Sequence, residues 1–301
     1  MPDGDSGLTL IRMNCFLWSA PDMIPQRNIS ALSNRLARKG QRRVPEKVLE
    51  LDYCLAWFLV GLSKTSLREY LIFKGGTALK RCYFPDYRFS EDLDFSLSQS
   101  ISFEDLLEGL EDVYLQVKND SGIVFGFGGE DRARHQNSYS FYLTYEGPLP
   151  VSSPKKVKVD ITVKERFVFP INNCPVLSGY NEYEDIVEGH IIRAYSLNEI
   201  CVEKFLALTD RARNEPRDLY DFWYLVSNHH VDLAMLLPEI MNKLKFRGRS
   251  FDTLADDFDK KEPRYRKLWE VRLSSQMTTL PSFENVFRSV RRAIRRAGLF
   301  E

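Results

Sequence analysis

An α/β (α+β) fold, a mixed sheet with helices followed by an α-helical C-terminal domain, is what the hydrophobic pattern of this chain predicts. Three observations carry that prediction. Residues 71–73 (Leu-Ile-Phe) form a short apolar run that meets a glycine pair, as a buried strand entering a turn does. In residues 157–163, Val157, Val159, Ile161 and Val163 alternate with Lys158, Asp160 and Thr162, the period of a strand with one buried face. From about Ser196 onward the apolar residues recur at helical spacing. A length of 301 residues suits one large domain or two medium ones. The pattern divides it into an N-terminal extension (1–44), an α/β domain (45–195) and a helical C-terminal domain (196–301).

The elements follow in order. Over residues 45–62, Val48, Leu51, Cys54, Leu55, Phe58, Leu59 and Leu62 make a helical apolar stripe, with Pro45 suited to a first turn. The strand 71–73, a short helix 77–83 and a strand 92–97 come next. Phe103, Leu106, Leu110, Val113, Tyr114 and Val117 share one side of a helix over 103–117. Further strands are predicted at 123–127, 138–145 and 156–163, then a loop at 170–180. His229-His230 falls at a helix end. The first 25 residues lack the basic start and long apolar core of a signal peptide, and Met13 and Met23 are alternative starts.

Composition narrows the function classes. The chain is 44% hydrophobic and 28% charged, an ordinary soluble balance. Its formal net charge is zero, so a polyanionic partner needs a local basic patch. Cys15, Cys54, Cys82, Cys174 and Cys201 are odd in number and scattered without a C-x-x-C pair, which argues for a reducing cytoplasm and against a zinc ribbon or disulfide framework. No apolar stretch approaches the roughly 18 residues of a membrane span, so no membrane partner is expected.

Chemistry concentrates in residues 73–97. Gly75 and Gly76 permit a tight turn, and a helix starting there offers free backbone N–H groups to phosphate. Asp92 and Asp94 are separated by one residue, so a strand would send both carboxylates to one face, where they repel unless a hard cation neutralises them. Asp160, on the polar face of a neighbouring strand, could complete a two-metal site; taken alone it reads sooner as a solvated strand residue, and the preceding Asp92-x-Asp94 and glycine turn reverse that.

These residues carry a resemblance. Gly75-Gly76-Thr77 followed by Asp92-x-Asp94, in the context of Arg88-Phe89-Ser90-Glu91, resembles the signature of the DNA polymerase β-type nucleotidyltransferase superfamily. The longer form is similar to the AbiEii/MenT group, nucleotidyltransferase toxins of type IV toxin–antitoxin systems. A second block supports it: Glu203-Lys204 in a helix, then Arg217-Asp218-Leu219-Tyr220-Asp221. The likeness runs from roughly residue 51 to 225. It implies a polymerase-β-like sheet, an NTP substrate held by Gly75, Gly76 and Thr77, and Mg2+ on Asp92 and Asp94. Asp160 would join the second ion or act as general base. Lys204 would reach the triphosphate, and Asp218, with Arg217 and Asp221, would line the site. Each of these helical residues also has a structural reading, Asp218 as a helix-start acid and Glu203 and Lys204 as a solvated face. Lys80 and Arg81 read as surface residues beside the nucleotide.

The resemblance further implies transfer RNA as acceptor, often at its acceptor end, and a cognate antitoxin. Arg288, Arg291, Arg292, Arg295 and Arg296 make a positive stripe on a C-terminal helix, and Lys243, Lys245, Arg247 and Arg249 a second basic cluster. Asp252, Asp256, Asp257 and Asp259 lie close enough in sequence to neutralise part of it. Two other readings stay open: nucleotidyl or phosphoryl transfer to a protein, itself included, and a nucleotide-binding module without catalysis. A haloacid-dehalogenase-type phosphatase would need Asp92 at the C-terminal end of an apolar strand, and Arg88-Phe89-Ser90-Glu91 precedes it instead.

Overall fold

The computed structural model describes residues 23–38, 41–131, 137–150 and 153–300; most of the N-terminal extension lies outside them. Seven strands make one mixed sheet: β1 (Leu71–Lys74), β2 (Leu93–Leu97), β3 (Val124–Glu130), β4 (Ser138–Glu146), β5 (Lys155–Thr162), β6 (Ile171–Pro175) and β7 (Ile191–Tyr195), in the spatial order β3-β4-β5-β2-β1-β7-β6. β1 is antiparallel to β2, and β5 and β7 lie parallel to β2 and β1. The order puts the two strands around the glycine turn at the centre of the sheet. Their residues Leu71, Ile72, Phe73, Phe95 and Leu97 are accordingly buried, as strands covered on both faces require.

Helix α1 (Gln26–Leu36) precedes α2 (Glu46–Ser63). The stripe expected for α2 is only part of its burial. From Val48 to Ser63 every residue is buried, Glu50 and Asp52 included. These two acids are tolerated because each is paired: Glu50 Oε1 accepts from Lys155 Nζ at 2.7 Å and from the Leu149 amide at 2.7 Å, and Asp52 holds Arg81 at 2.5 Å. Lys80 and Arg81 are therefore not surface residues. Arg81 is fully buried and also donates to the carbonyls of Leu177 and Ser178. Lys80 donates to the carbonyls of Pro85 and Tyr87 and lies 4.3 Å from the Phe89 ring centroid.

α3 (Gly75–Ala78) continues as a π turn over Leu79–Tyr83, and α4 (Phe103–Ser121) begins with Ser102 capping Asp105 and ends on Gly122 in the left-handed region. The expected loop at 170–180 holds β6, and β7 was not expected; both contain too few alternating apolar residues to announce a strand. β2 begins at Leu93, so Asp92 stands just before its N-terminal end. That position removes the phosphatase reading.

The rest is helical: α5 (Leu197–Leu208), α6 (Pro216–Ser227), α7 (Leu237–Phe246), α8 (Leu254–Asp259), α9 (Glu262–Leu273) and α10 (Phe283–Arg296). α5 and α6 pack on each other through Phe205 and Phe222, and α10 covers α6 with Val286, Phe287, Val290 and Ile294. Among the described residues no helix is long and apolar enough to cross a membrane.

Candidate active site

Strand register gathers the charged residues of the sheet. Lys74 is opposite Asp94 on β1 and β2, Asp94 is opposite Asp160 on β2 and β5, and Asp160 is opposite Ser140 on β4. Laterally paired residues share a face, so Lys74, Asp94, Asp160 and Ser140 form one row across four strands. A cavity of about 370 Å³ opens over its Lys74, Asp94 and Asp160. Lys74, Gly75, Asp94 and Asp160 line its sheet wall; Lys204, Asp210, Arg213 and Asp218 line the opposite wall from α5, α6 and their connection. Asp92, Gly76 and Thr77 are not among the lining residues.

Each of these three supports the row. The Thr77 hydroxyl donates to the Asp92 carbonyl at 2.5 Å, which fixes the approach to β2. Gly76 lies against Arg88: a Cβ there would stand 2.6 Å from a guanidinium nitrogen. Asp92 accepts from Arg217 at 3.3 Å. Gly75 has φ +79°, and a Cβ on it would collide with the Asp94 carboxylate, so both backbone and space demand glycine.

The Asp94 carboxyl is pushed up by burial first and by Asp92 second, with Lys74, Arg213 and Lys204 opposing. Burial pushes the Lys74 ammonium down; it donates to Thr162 Oγ1 at 2.7 Å. Asp160 accepts from Ser140 Oγ at 2.5 Å and meets Lys158 at 3.2 Å. Carboxylate oxygens on adjacent strands, that of Asp94 raised by burial and then by Asp92, are the donor type a hard divalent cation takes. Among the described residues no group of three such ligands yet converges on one point. Arg217 contacts Asp92 at 3.3 Å and Lys158 contacts Asp160 at 3.2 Å.

The helical wall is a buried network. Lys204 Nζ lies 2.7 Å from Asp218 and 2.6 Å from Asp221. Asp221 accepts a two-pronged contact from Arg88 at 2.7 and 2.8 Å, and Tyr87 donates to it at 2.7 Å. Arg213 reaches Asp218 at 2.5 Å. Against their own burial, Lys204 and Arg213 hold the Asp218 carboxyl far below the usual range, and Arg88 and Lys204 hold that of Asp221 down to about 2. Lys204 is kept charged by the same pairs. Asp218 thus anchors a cation that faces the cavity. Sequence reasoning missed Lys74, Arg213 and Ser140. The one available signal was Lys74, a charge closing an otherwise apolar strand.

Three of the four residues of the second basic cluster are engaged within the fold, while Lys245 stands exposed. Lys243 is fully buried among Glu165, Glu199 and Glu203, at 2.6 Å from Glu199. Arg247 is 2.9 Å from Glu203, and Arg249 donates to the carbonyls of Leu206 and Thr209. On α10, Arg291 is taken by Asp259 at 2.5 Å.

A central antiparallel pair around a Gly-Gly turn, with a row of acids facing a cationic helical wall, defines a nucleotidyltransferase fold. The model of the family described as "Nucleotidyl transferase AbiEii toxin, Type IV TA system" matches residues 57–293, and the chain belongs to that family. Among solved structures it is similar to MenT4, the nucleotidyltransferase toxin Rv2826c from Mycobacterium tuberculosis H37Rv, with a TM-score of 0.58 and 17% identity over 90% of this chain and 89% of that one. At that identity the likeness speaks for the fold. No curated protein matches the sequence.

Proposed function

We propose that this toxin transfers a nucleotidyl group from an NTP to a hydroxyl of an RNA acceptor, with the 3′ end of transfer RNA as its target. One observation carries the reading: Asp94 and Asp160 are register neighbours in a cavity whose other wall presents Lys204 and Arg213. Acids on one wall and paired cations on the other suit a triphosphate with its ion. A divalent cation such as Mg2+ on Asp92, Asp94 and Asp160 would offset the charge of the triphosphate and of the departing oxygen.

The chain's own residues do the rest. Gly75 lets the backbone approach Asp94, and the α3 N-terminus, with Lys74 at its cap position, has no side-chain cap. Lys204, Arg213 and Lys74 attract the β and γ phosphates as fixed charges that need no reorganisation. The acceptor hydroxyl attacks the α-phosphorus in line; the new P–O bond forms as the α–β bridging bond breaks and pyrophosphate leaves. Asp160 takes the hydroxyl proton. A cognate antitoxin follows from family membership, and cytoplasmic action from the reduced cysteines the composition implies.

The alternative acceptor is protein, and one contact favours it: the Ser140 hydroxyl already donates to Asp160, the geometry of a nucleophile on its base. The deciding experiment incubates the protein with Mg2+, each α-³²P-NTP in turn and bulk transfer RNA, beside an Asp94→Asn variant. Label on RNA that the variant abolishes establishes the transfer and names the nucleotide. Label on the protein alone, lost in Ser140→Ala, replaces the RNA reading with self-modification. Label on neither, with NTP still bound, would leave a module that does not catalyse nucleotidyl transfer.

A further inference from the structure

α10 carries a charge that its fold does not use. Its apolar side, Phe283, Val286, Phe287, Val290 and Ile294, is buried. On the other side Arg288, Arg292, Arg295 and Arg296 are exposed, and none of them forms an ion pair among the described residues. Of the other basic side chains singled out by the sequence, Lys243 and Arg247 are neutralised from within by glutamates and Arg291 by Asp259. In a chain of zero net charge, four exposed arginines on one helix face, without acid partners among the described residues, make a local positive surface.

The arginines also border a shaped site. A cleft of about 570 Å³ lies between α10 and the C-terminal end of α6, lined by Arg292, Arg296, Ser227, Ser289 and His229. Arg292 and Arg296 are four residues apart, so their guanidiniums project side by side. The Ser227 and Ser289 hydroxyls meet at 3.3 Å across the cleft. The one acid on its wall, Asp232, already accepts from the Ala234 amide at 3.1 Å and caps the next turn.

His229 supplies a separate observation. It has φ +56°, the only non-glycine residue with positive φ among those described. The position closes α6, with the His230 amide bonded to the Leu225 carbonyl at 3.0 Å, where glycine is the unstrained choice. An exposed imidazole is kept there at a conformational cost, and it lines the cleft.

We propose that this cleft is a phosphate-binding site that seats the RNA backbone away from the reacting end. Guanidinium forks, hydroxyls and an imidazole together match phosphodiester oxygens, and an extended polyanion also uses Arg288 and Arg295 along the same helix. α6 is the spacer: it carries Arg217 at its start and Ser227 at its end, about 15 Å apart at 1.5 Å per residue. The RNA is thereby gripped at one end of α6 while its terminal hydroxyl enters the cavity at the other. This inference rests on the RNA reading of the function.

The test measures binding of 5′-fluorescein-labelled transfer RNA by anisotropy across a salt series, with binding of a fluorescent NTP analogue as control. Arg292→Ala/Arg296→Ala is expected to weaken RNA binding about 10-fold or more near 0.1 M salt and to flatten the salt slope by about two, one per lost phosphate contact. NTP binding stays as in the wild type. His229→Gly is expected to weaken RNA binding a few-fold while the melting temperature holds or rises, which separates a ligand role from a folding one. A wild type that binds and labels RNA, with a double variant of unchanged affinity and slope, overturns the cleft and leaves the transferase reading intact. Loss in the double variant of antitoxin binding alone would overturn it too and assign the face to that protein. A wild type that binds no RNA removes the RNA reading and the cleft with it.

Discussion

Replacing Gly75 by alanine meets two penalties at once. The φ of +79° is costly for any side chain, and the new methyl group would occupy the place of the Asp94 carboxylate. Gly75→Ala should lose about 1–3 kcal/mol of stability, read as a lower urea midpoint, together with nearly all activity. Asp94→Asn should separate these effects. A carboxyl whose folded pKa is raised opposes folding above that pKa, because the folded state prefers the protonated form and the unfolded state does not. Removing the charge should therefore hold or raise the melting temperature at neutral pH, while labelling of the acceptor falls by about 10³-fold, the scale of losing one electrostatic contact to the transition state. A variant that is both inactive and clearly less stable would mean that Asp94 is a structural acid. Of the residues named from sequence, Gly75, Asp94, Asp160, Lys204 and Asp218 meet in one cavity. Spacing alone suggests that Asp92 and Asp94 share a strand face, yet β2 begins at Leu93 and of the two only Asp94 lines the cavity. Spacing could not foretell that Lys74 and Ser140 extend the row, since register across strands distant in sequence is decided by the whole sheet.

At the scale of elements, α6 is fastened to the sheet domain by charge as well as by packing. Asp221, on α6, joins Lys204 of α5 to Arg88 of the segment between α3 and β2, and all three side chains are nearly inaccessible. Arg88→Ala leaves Asp221 with one cation fewer in a dry site and should cost about 3–5 kcal/mol. Arg88→Lys should recover only part of this, because an ammonium cannot reproduce the two-pronged contact. Denaturant midpoints of the two variants check the order. The same network predicts acid sensitivity. Asp218 and Asp221 have depressed carboxyls, so the stability they give is present above the unfolded value near ~3.9 and is lost as pH falls through the folded value, about 2 for Asp221. Urea midpoints should thus fall between pH 4 and 2, and the fall should be little affected by salt, which screens buried pairs weakly. Elements with strong periodicity were legible from the chain. α2 was legible as a helix but not as a fully buried one, because Glu50 and Asp52 look solvated until Lys155 and Arg81 arrive from distant segments.

Across the whole molecule, the division of the chain at residue 196 marks a change of secondary structure more than a boundary of stability. The buried apolar residues form one contiguous cluster, from Leu49 and Phe58 through Phe95 to Phe205, Phe222 and Ile294. β7, which ends at Tyr195, lies between β1 and β6 inside the sheet, and α5 begins two residues later. Lys243 on α7 is sealed against Glu165 from the segment after β5 and Glu199 on α5. The α/β and helical halves were each legible in the sequence, since period 2 and period 3.6 are local signals. Their union was not, because it is made by ion pairs and apolar contacts between residues far apart in the chain. A shared core and buried cross-links predict cooperative behaviour. Calorimetry should record one unfolding transition for the full chain, with a van't Hoff enthalpy equal to the calorimetric one. Residues 45–195 expressed alone should be largely unfolded or aggregated, because removal of 196–301 strands Arg88 without Asp221 and exposes the face that α5 covers. Two resolved transitions, or a native-like spectrum from the 45–195 fragment, would mean that the sheet stands by itself. The catalytic cavity would then be an interface between independent parts that are free to open. In a contiguous core, the helical wall that carries Lys204 and Arg213 is held in place before any nucleotide arrives.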